Sequence, residues 1–172
     1  MISGEILFSS TNIQLKVVEL AEKISKDYKG KEVLAICILK GAFIFFADLV
    51  RAFQIPVNID FIVASSYLDT ISTGEVKVHY DIREDVLGKD ILLIDDIIDT
   101  GISLNYMRER LLAKRPASLK ICVLLDKKER RIVDVPLDYV GFEIPDVFVV
   151  GYGLDYNNRY RNLPHIAVLK HK

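Results

Sequence analysis

Ile91-Leu92-Leu93-Ile94-Asp95-Asp96-Ile97-Ile98-Asp99-Thr100-Gly101-Ile102-Ser103-Leu104 is the stretch on which the reading of this chain turns. Residues 91–94 are aliphatic without alternation, the pattern of a strand buried on both faces. The strand runs into two adjacent carboxylates, a short loop and a helix start. In open α/β sheets, ligands bind outside the carboxyl ends of the strands. Carboxylates as close as Asp95 and Asp96 repel one another unless a cation or sugar hydroxyls lie between them. Gly101 lets backbone amides approach a ligand, and Thr100 and Ser103 offer hydroxyls. A helix opening at Ile102 aims unpaired N–H groups and its positive dipole end outward. Residues 99–103 therefore read as a phosphate cradle. They lack the Gly-Lys-Ser/Thr ending of a nucleotide P-loop and the glycine spacing of a dinucleotide fingerprint. The plainer alternative is an ordinary N-cap at Asp99 or Thr100 beside a solvated acidic pair.

Working outward, further apolar, β-branched runs cover 33–39, 57–65 and 119–125. Helix-like segments over 42–53 and 102–115 alternate with them, closed by Pro56 and Pro116. Strands alternating with helices predict parallel βαβ units. An earlier helix over 12–28 carries Ile13, Val17, Leu20 and Ile24 on one face, with Gly30 after its end. Thr11 and Gln14 have the spacing of its capping box. The tail adds strands over 139–144, 147–150 and 165–169. The whole reads as one α/β domain, 1–172, with a doubly wound, mainly parallel sheet flanked by helices. Between residues 66 and 88 the pattern fails: a small, polar stretch over 67–74 leads into alternating Glu75-Val76-Lys77-Val78-His79-Tyr80. A long loop in a compact domain is often a lid or binding loop, and a solvent-exposed hairpin is the alternative.

The 172 residues suit a single core, and 51% hydrophobic with 27% charged residues exclude a disordered or fibrous chain. A net charge of -1 gives no general electrostatic case for nucleic acid or a polybasic membrane contact. The first residues lack the basic and apolar regions of a signal peptide. The apolar run over 42–53 is broken by Asp48 and Arg51 and is too short to span a bilayer. Cys37 and Cys122 each sit inside an apolar run and read as reduced core residues, which points to the cytoplasm. The three histidines form no cluster of zinc-ligand spacing with them.

Ile94-Asp95-Asp96-Ile97-Ile98-Asp99-Thr100-Gly101 resembles the signature of type I phosphoribosyltransferases, which bind phosphoribosyl pyrophosphate. Other segments narrow the resemblance to the hypoxanthine-guanine branch. Leu39-Lys40-Gly41 is similar to its pyrophosphate loop, and Ser65-Ser66-Tyr67 to the start of its mobile lid. Leu125-Asp126-Lys127, Gly141-Phe142-Glu143-Ile144-Pro145-Asp146 and Phe148-Val149-Val150-Gly151-Tyr152-Gly153-Leu154-Asp155-Tyr156-Asn157 are similar to its purine-binding segments. Arg161-Asn162-Leu163-Pro164 is similar to its closing arginine segment. The resemblance runs from the first helix to about Leu169 and implies the type I fold, with a small hood and a mobile lid.

It implies purine salvage: the phosphoribosyl group passes from phosphoribosyl pyrophosphate to a 6-oxopurine, giving IMP or GMP and pyrophosphate. The loop at Thr100, Gly101, Ile102 and Ser103, with Asp99 at its edge, would hold the 5′-phosphate. Asp95 and Asp96 would face the ribose hydroxyls, and Asp96 and Asp155 would lie near Mg²⁺. Lys40 and Arg161 are the cations expected beside the pyrophosphate, next to Gly41, with Ser66 and Tyr67 contributed by the lid. Asp99 would be the catalytic general base toward purine N7. Lys127 would meet the 6-position, Phe148 would stack on the purine, and Val149 would read its edge through the backbone. The chain departs from the family at Asp95, usually glutamate, at Ile102, lysine in some relatives, and at Val147, often lysine. Homo-oligomers, dimeric or tetrameric, are implied too. An RNA-binding attenuation regulator on the same fold is the competing reading, since fold does not fix function. A receiver domain or a haloacid-dehalogenase phosphatase fits poorly, because the paired acids come late and Asp-x-Asp is absent.

Overall fold

Why the inner strands are apolar throughout is visible in their packing. In the computed structural model, which describes residues 4–66 and 76–169, side chains of β2 (Val33–Leu39) alternate between two hydrophobic cores. Val33, Ala35 and Cys37 join one, Leu34 and Ile36 the other. β5 (Asp90–Ile98) does the same with Leu92 and Ile94 against Ile91 and Leu93. Each strand needs apolar residues on both faces because both are covered. Helices α1 (Ser10–Asp27) and α2 (Phe43–Arg51) lie over the first core, and α3 (Ile102–Leu112) over the second through Leu104, Met107 and Leu111.

The six-stranded sheet runs β4 (Val76–Tyr80), β3 (Val57–Ser66), β2, β5, β6 (Ser118–Asp126), β7 (Tyr139–Glu143). Every neighbouring pair is parallel except β3 with β4. From β2 the chain winds one way to β3, and from β5 it winds the other way to β6. The switch in order falls between β2 and β5, where a crevice opens at the strands' carboxyl ends. A separate antiparallel sheet of β1 (Ile6–Phe8), β9 (Ile166–Val168) and β8 (Val149–Val150) forms the small hood.

Several boundaries differ from expectation. α1 is capped by Ser9, whose side chain accepts from the Asn12 N–H while Asn12 returns the bond to the Ser9 N–H, so the capping box sits there and not at Thr11 and Gln14. β5 continues past Ile94 through both carboxylates, because its ladder with β6 persists to Ile98 and Asp126. α3 stops at Leu112 and α2 at Arg51, short of their closing prolines. Of the expected lid, residues 67–75 lie outside the described residues, and 76–80 form β4. Cys37 and Cys122 are free and buried, and burial pushes both thiols above their ordinary range. Among the described residues no helix is long and apolar enough to cross a membrane.

Candidate active site

Three strand ends and the hood segment supply the crevice. β2 delivers Lys40 and Gly41, β5 delivers Asp96, Ile97 and Asp99, β6 delivers Lys127, and the segment around the hood contributes Phe148, Val149, Leu154, Asp155 and Arg161. Together with Arg130 they line a cleft of about 500 Å³. Nine residues expected in the site thus come together. Asp95 and residues 100–103 do not line this cleft. Ser66 ends β3, and Tyr67 lies outside the described residues.

The Leu39–Lys40 peptide is cis. Gly41 follows it against Asp96: a Cβ there would lie 1.8 Å from Asp96 Oδ2, so only glycine lets the β2 loop come this close to the carboxylate. Asp95 Oδ1 accepts the Asp96 N–H at 2.9 Å, and Asp96 Oδ1 accepts the Ile97 N–H at 2.8 Å. Burial and the charge of Asp96 push the Asp95 carboxyl well above the usual carboxylate range. Burial pushes Asp96 up as well, against the opposing pull of its bonds to Asp95 and Ile97 and the charge of Arg161. A cation at this pair would relieve that cost.

In the 99–103 turn the N-cap of α3 is Gly101, with no side-chain cap bond, and not Asp99 or Thr100. Gly101 has φ +84, and a Cβ on it would meet Val133 O at 2.4 Å and Arg131 Cδ at 2.9 Å. The residue is therefore fixed by the segment packed behind it as well as by any ligand in front. That segment takes the turn's carbonyls: Ile132 N and Val133 N donate to Thr100 O at 2.9 and 3.0 Å, and Arg131 Nε donates to Asp99 O at 3.3 Å. The carbonyls are held from behind, the Ile102 N–H donates to Thr100 Oγ1 at 3.4 Å, and the first turn of α3 carries no acidic residue that would repel an anion at the amides that follow.

At the β6 end of the cleft, Lys127 is 6% exposed, and its Nζ lies 3.7 Å from Asp146 Oδ1. Arg130 Nε stands 2.9 Å from Asp99 Oδ1, and its Nη1 3.6 Å from Asp146 Oδ1. Phe148 packs edge-on to Tyr156 with centroids 5.7 Å apart. At the other end Arg161 Nη1 donates to Gly153 O at 2.7 Å, and Nη2 pairs with Asp155 Oδ1 at 2.8 Å. Asp155 Oδ2 accepts the Asn158 N–H at 2.7 Å. Among the described residues no group of three or more His, Cys, Asp or Glu is gathered to hold a metal unaided. Asp96 and Asp155 face one cleft with hard oxygen donors, the set that Mg²⁺ takes in company with substrate phosphates and water.

Sequence reasoning missed Ile97, Arg130 and Leu154. Arg130 sits in a charged run, Lys128-Glu129-Arg130-Arg131, that reads as a solvated strand end. The signal that could have found it is its place just beyond the carboxyl end of β6, the ligand-binding end of the sheet.

The family model described as phosphoribosyl transferase domain matches residues 3–157. A Salmonella typhimurium protein named hypoxanthine phosphoribosyltransferase is 48% identical over 166 residues, covering 95% of this chain and 93% of its own length. A Bacillus subtilis hypoxanthine-guanine phosphoribosyltransferase is 48% identical over 167 residues, covering 96% and 93%. The crystal structure of a hypoxanthine-guanine phosphoribosyltransferase from Bacillus anthracis superposes with a TM-score of 0.92 at 46% identity, covering 99% of each chain. None of these names supports the RNA-binding reading.

Proposed function

The chain belongs to the phosphoribosyl transferase family, and on that premise we propose that it is a purine-salvage enzyme, transferring the 5-phosphoribosyl group from phosphoribosyl pyrophosphate to hypoxanthine or guanine. The observation that carries this reading is one cleft with two chemically distinct ends. A buried ammonium and a carboxylate, Lys127 and Asp99, stand at one end, and Asp96, Asp155, Lys40 and Arg161 line the rest.

A purine ring lies on Phe148 with its edge against the Val149 backbone. Its 6-oxo group accepts from Lys127, an ammonium with three donors and no acceptor. Asp99 takes the proton from N7 as the new N–C1 bond forms and the C1–O bond to pyrophosphate breaks, a task requiring hydrogen-bond reach more than high basicity. The amides and hydroxyls of 100–103 hold the 5′-phosphate. Asp96 faces the ribose hydroxyls. Asp95, directed at its neighbour's amide, supports Asp96 and reaches the sugar through water. Lys40 and Arg161 counter the charge growing on the leaving pyrophosphate. Asp96 and Asp155 would hold Mg²⁺, which when bound would supply positive charge to stabilise that leaving group. A homo-oligomer in the cytoplasm completes the proposal, supported by the family resemblance and by two buried, free thiols.

The test is a panel of hypoxanthine, guanine, xanthine, adenine and uracil with phosphoribosyl pyrophosphate and Mg²⁺, read by nucleotide formation. Turnover of hypoxanthine or guanine with adenine and uracil inert is expected. Turnover of uracil, or of no base, overturns the proposal.

A further inference from the structure

The role given to Asp99 leaves one cation in the cleft unexplained. Arg130 lines the same wall, and neither the phosphate nor the base assignment uses it. Its placement follows from backbone geometry. Lys128–Arg130 is a 3-10 turn that starts directly after Lys127, and Arg130 N donates to Lys127 O at 3.2 Å. That bond closes the turn on Lys127, and the side chains of Lys127 and Arg130 both line the cleft. Asp146 stands between their heads, 3.7 Å from Lys127 Nζ and 3.6 Å from Arg130 Nη1.

The Asp99 carboxylate is divided in a way that gives this arginine a task. Oδ1 is shut off from solvent, and Arg130 Nε lies 2.9 Å from it, as an ion pair and not an aligned hydrogen bond. The side chain as a whole is 41% exposed, which leaves Oδ2 as the carboxylate oxygen open to the cleft. Resting on the reading of Asp99 as general base, we propose that Arg130 is its positioning residue: it holds Oδ1 so that Oδ2 faces purine N7. The N7–H bond then breaks toward Oδ2, its electron pair stays with the ring, and the C1–O pair leaves with pyrophosphate. An exposed ion pair contributes little to stability. Its value here is orientation, since a base misplaced by an ångström loses much of its rate advantage. Asp146 keeps the guanidinium from swinging into solvent and spaces it from Lys127.

The experiment is a single-turnover measurement of nucleotide formation, enzyme in excess, because product release often limits kcat. Wild type, R130A, R130K, D99N and the double variant R130A/D99N are compared. General bases contribute about 10²- to 10⁴-fold, so R130A is expected to slow the chemical step about tenfold. The KM for phosphoribosyl pyrophosphate should stay near wild type, and R130K should recover part of the rate. In the D99N background R130A should cost nothing more, because a residue acting through Asp99 has nothing left to position. Arg130 is half-exposed and fills no core position, and unchanged melting temperatures are expected. R130A at the wild-type rate, or an equal loss in the D99N background, overturns the proposal while the base assignment stands. D99N at the wild-type rate removes the base assignment and this proposal with it.

Discussion

Replacing Lys127 with methionine removes the ammonium while keeping the length of its apolar stem. The residue is 6% exposed, and the acid nearest its head, Asp146, lies at 3.7 Å, too far for a hydrogen bond. A 6-oxo group arriving in the cleft therefore offers that ammonium an acceptor that it lacks at hydrogen-bond distance among the described residues. A charge-assisted hydrogen bond of this kind is worth about 1.5–3 kcal/mol. At about 1.4 kcal/mol per factor of ten, K127M should lower kcat/KM for hypoxanthine by about 10- to 150-fold. Adenine presents an amino donor at the same place, so the wild-type pairing is donor against donor and K127M relieves it. The hypoxanthine-to-adenine ratio should then fall by at least the hypoxanthine loss. Exchanging a buried charge for a thioether of similar volume should leave stability unchanged or raised. Steady-state kinetics on both bases, with a melting curve as control, decide the matter. Wild-type hypoxanthine kinetics would refute the reasoning. So would equal losses on both bases, which would mark Lys127 as packing and not as the reader of the 6-position.

G101A should destabilise the fold by about 1–3 kcal/mol, the scale of backbone strain at a site a side chain cannot adopt, and weaken GMP binding with it. Urea unfolding and calorimetry read the two effects, and an unchanged midpoint would contradict the 2.4 Å approach to Val133 O. D60A removes a buried carboxylate that accepts from the N–H groups of Phe61, Arg83 and Glu84, so denaturant stability should drop by about 2–4 kcal/mol. Burial raises the Asp81 carboxyl, but bonds from the Arg110 side chain and Ile82 N–H and the charges of Arg110 and Lys114 outweigh it, leaving Asp81 below the usual carboxylate range. A folded-state value below the unfolded one adds stability that is present above the unfolded pKa and lost as pH falls through the folded one. The acid limb of stability against pH should flatten in D81N, and an unaltered limb would rule out this contribution.

The inner sheet was legible because its sequence signal is local. β2 matches its expected span at both ends, since each of its seven residues meets a covered face. The sequence pattern of β5 ends early because carboxylates inside a ladder look like loop, yet Asp95 pairs in register with Val123. β1 is three residues long and pairs with β9 from the far end of the chain, so no local pattern announces it. Two capping registers, Ser9 with Asn12 and Thr11 with Gln14, have equal spacing, and only the backbone decides between them. In the site, Lys40, Asp96, Asp99, Lys127, Phe148 and Asp155 sit in ordered motifs and were found. Arg130 lies in a three-residue 3-10 turn of charged residues, which leaves no apolar periodicity to read.

The same segment shows why some positions of the site can be named from sequence and others cannot. Lys127 N donates to Ile98 O at 3.0 Å and continues the β6 edge. Lys127 and Arg130 then present their heads to the cleft, and Arg131 turns back to Asp99 O and to the buried Asp126. Ile132 and Val133 finish the support of the phosphate turn with backbone N–H groups alone. Lys127, Arg130 and Arg131 make these contacts through their side chains, so substitution there removes the contact. Ile132 is 72% exposed and contributes a peptide group that almost any residue supplies. Proline is the exception, because it has no N–H to give to Thr100 O. In the proposed mechanism, base recognition, the general base and the phosphate turn would thus all draw on five residues of one short segment, Lys127, Arg130, Arg131, Ile132 and Val133.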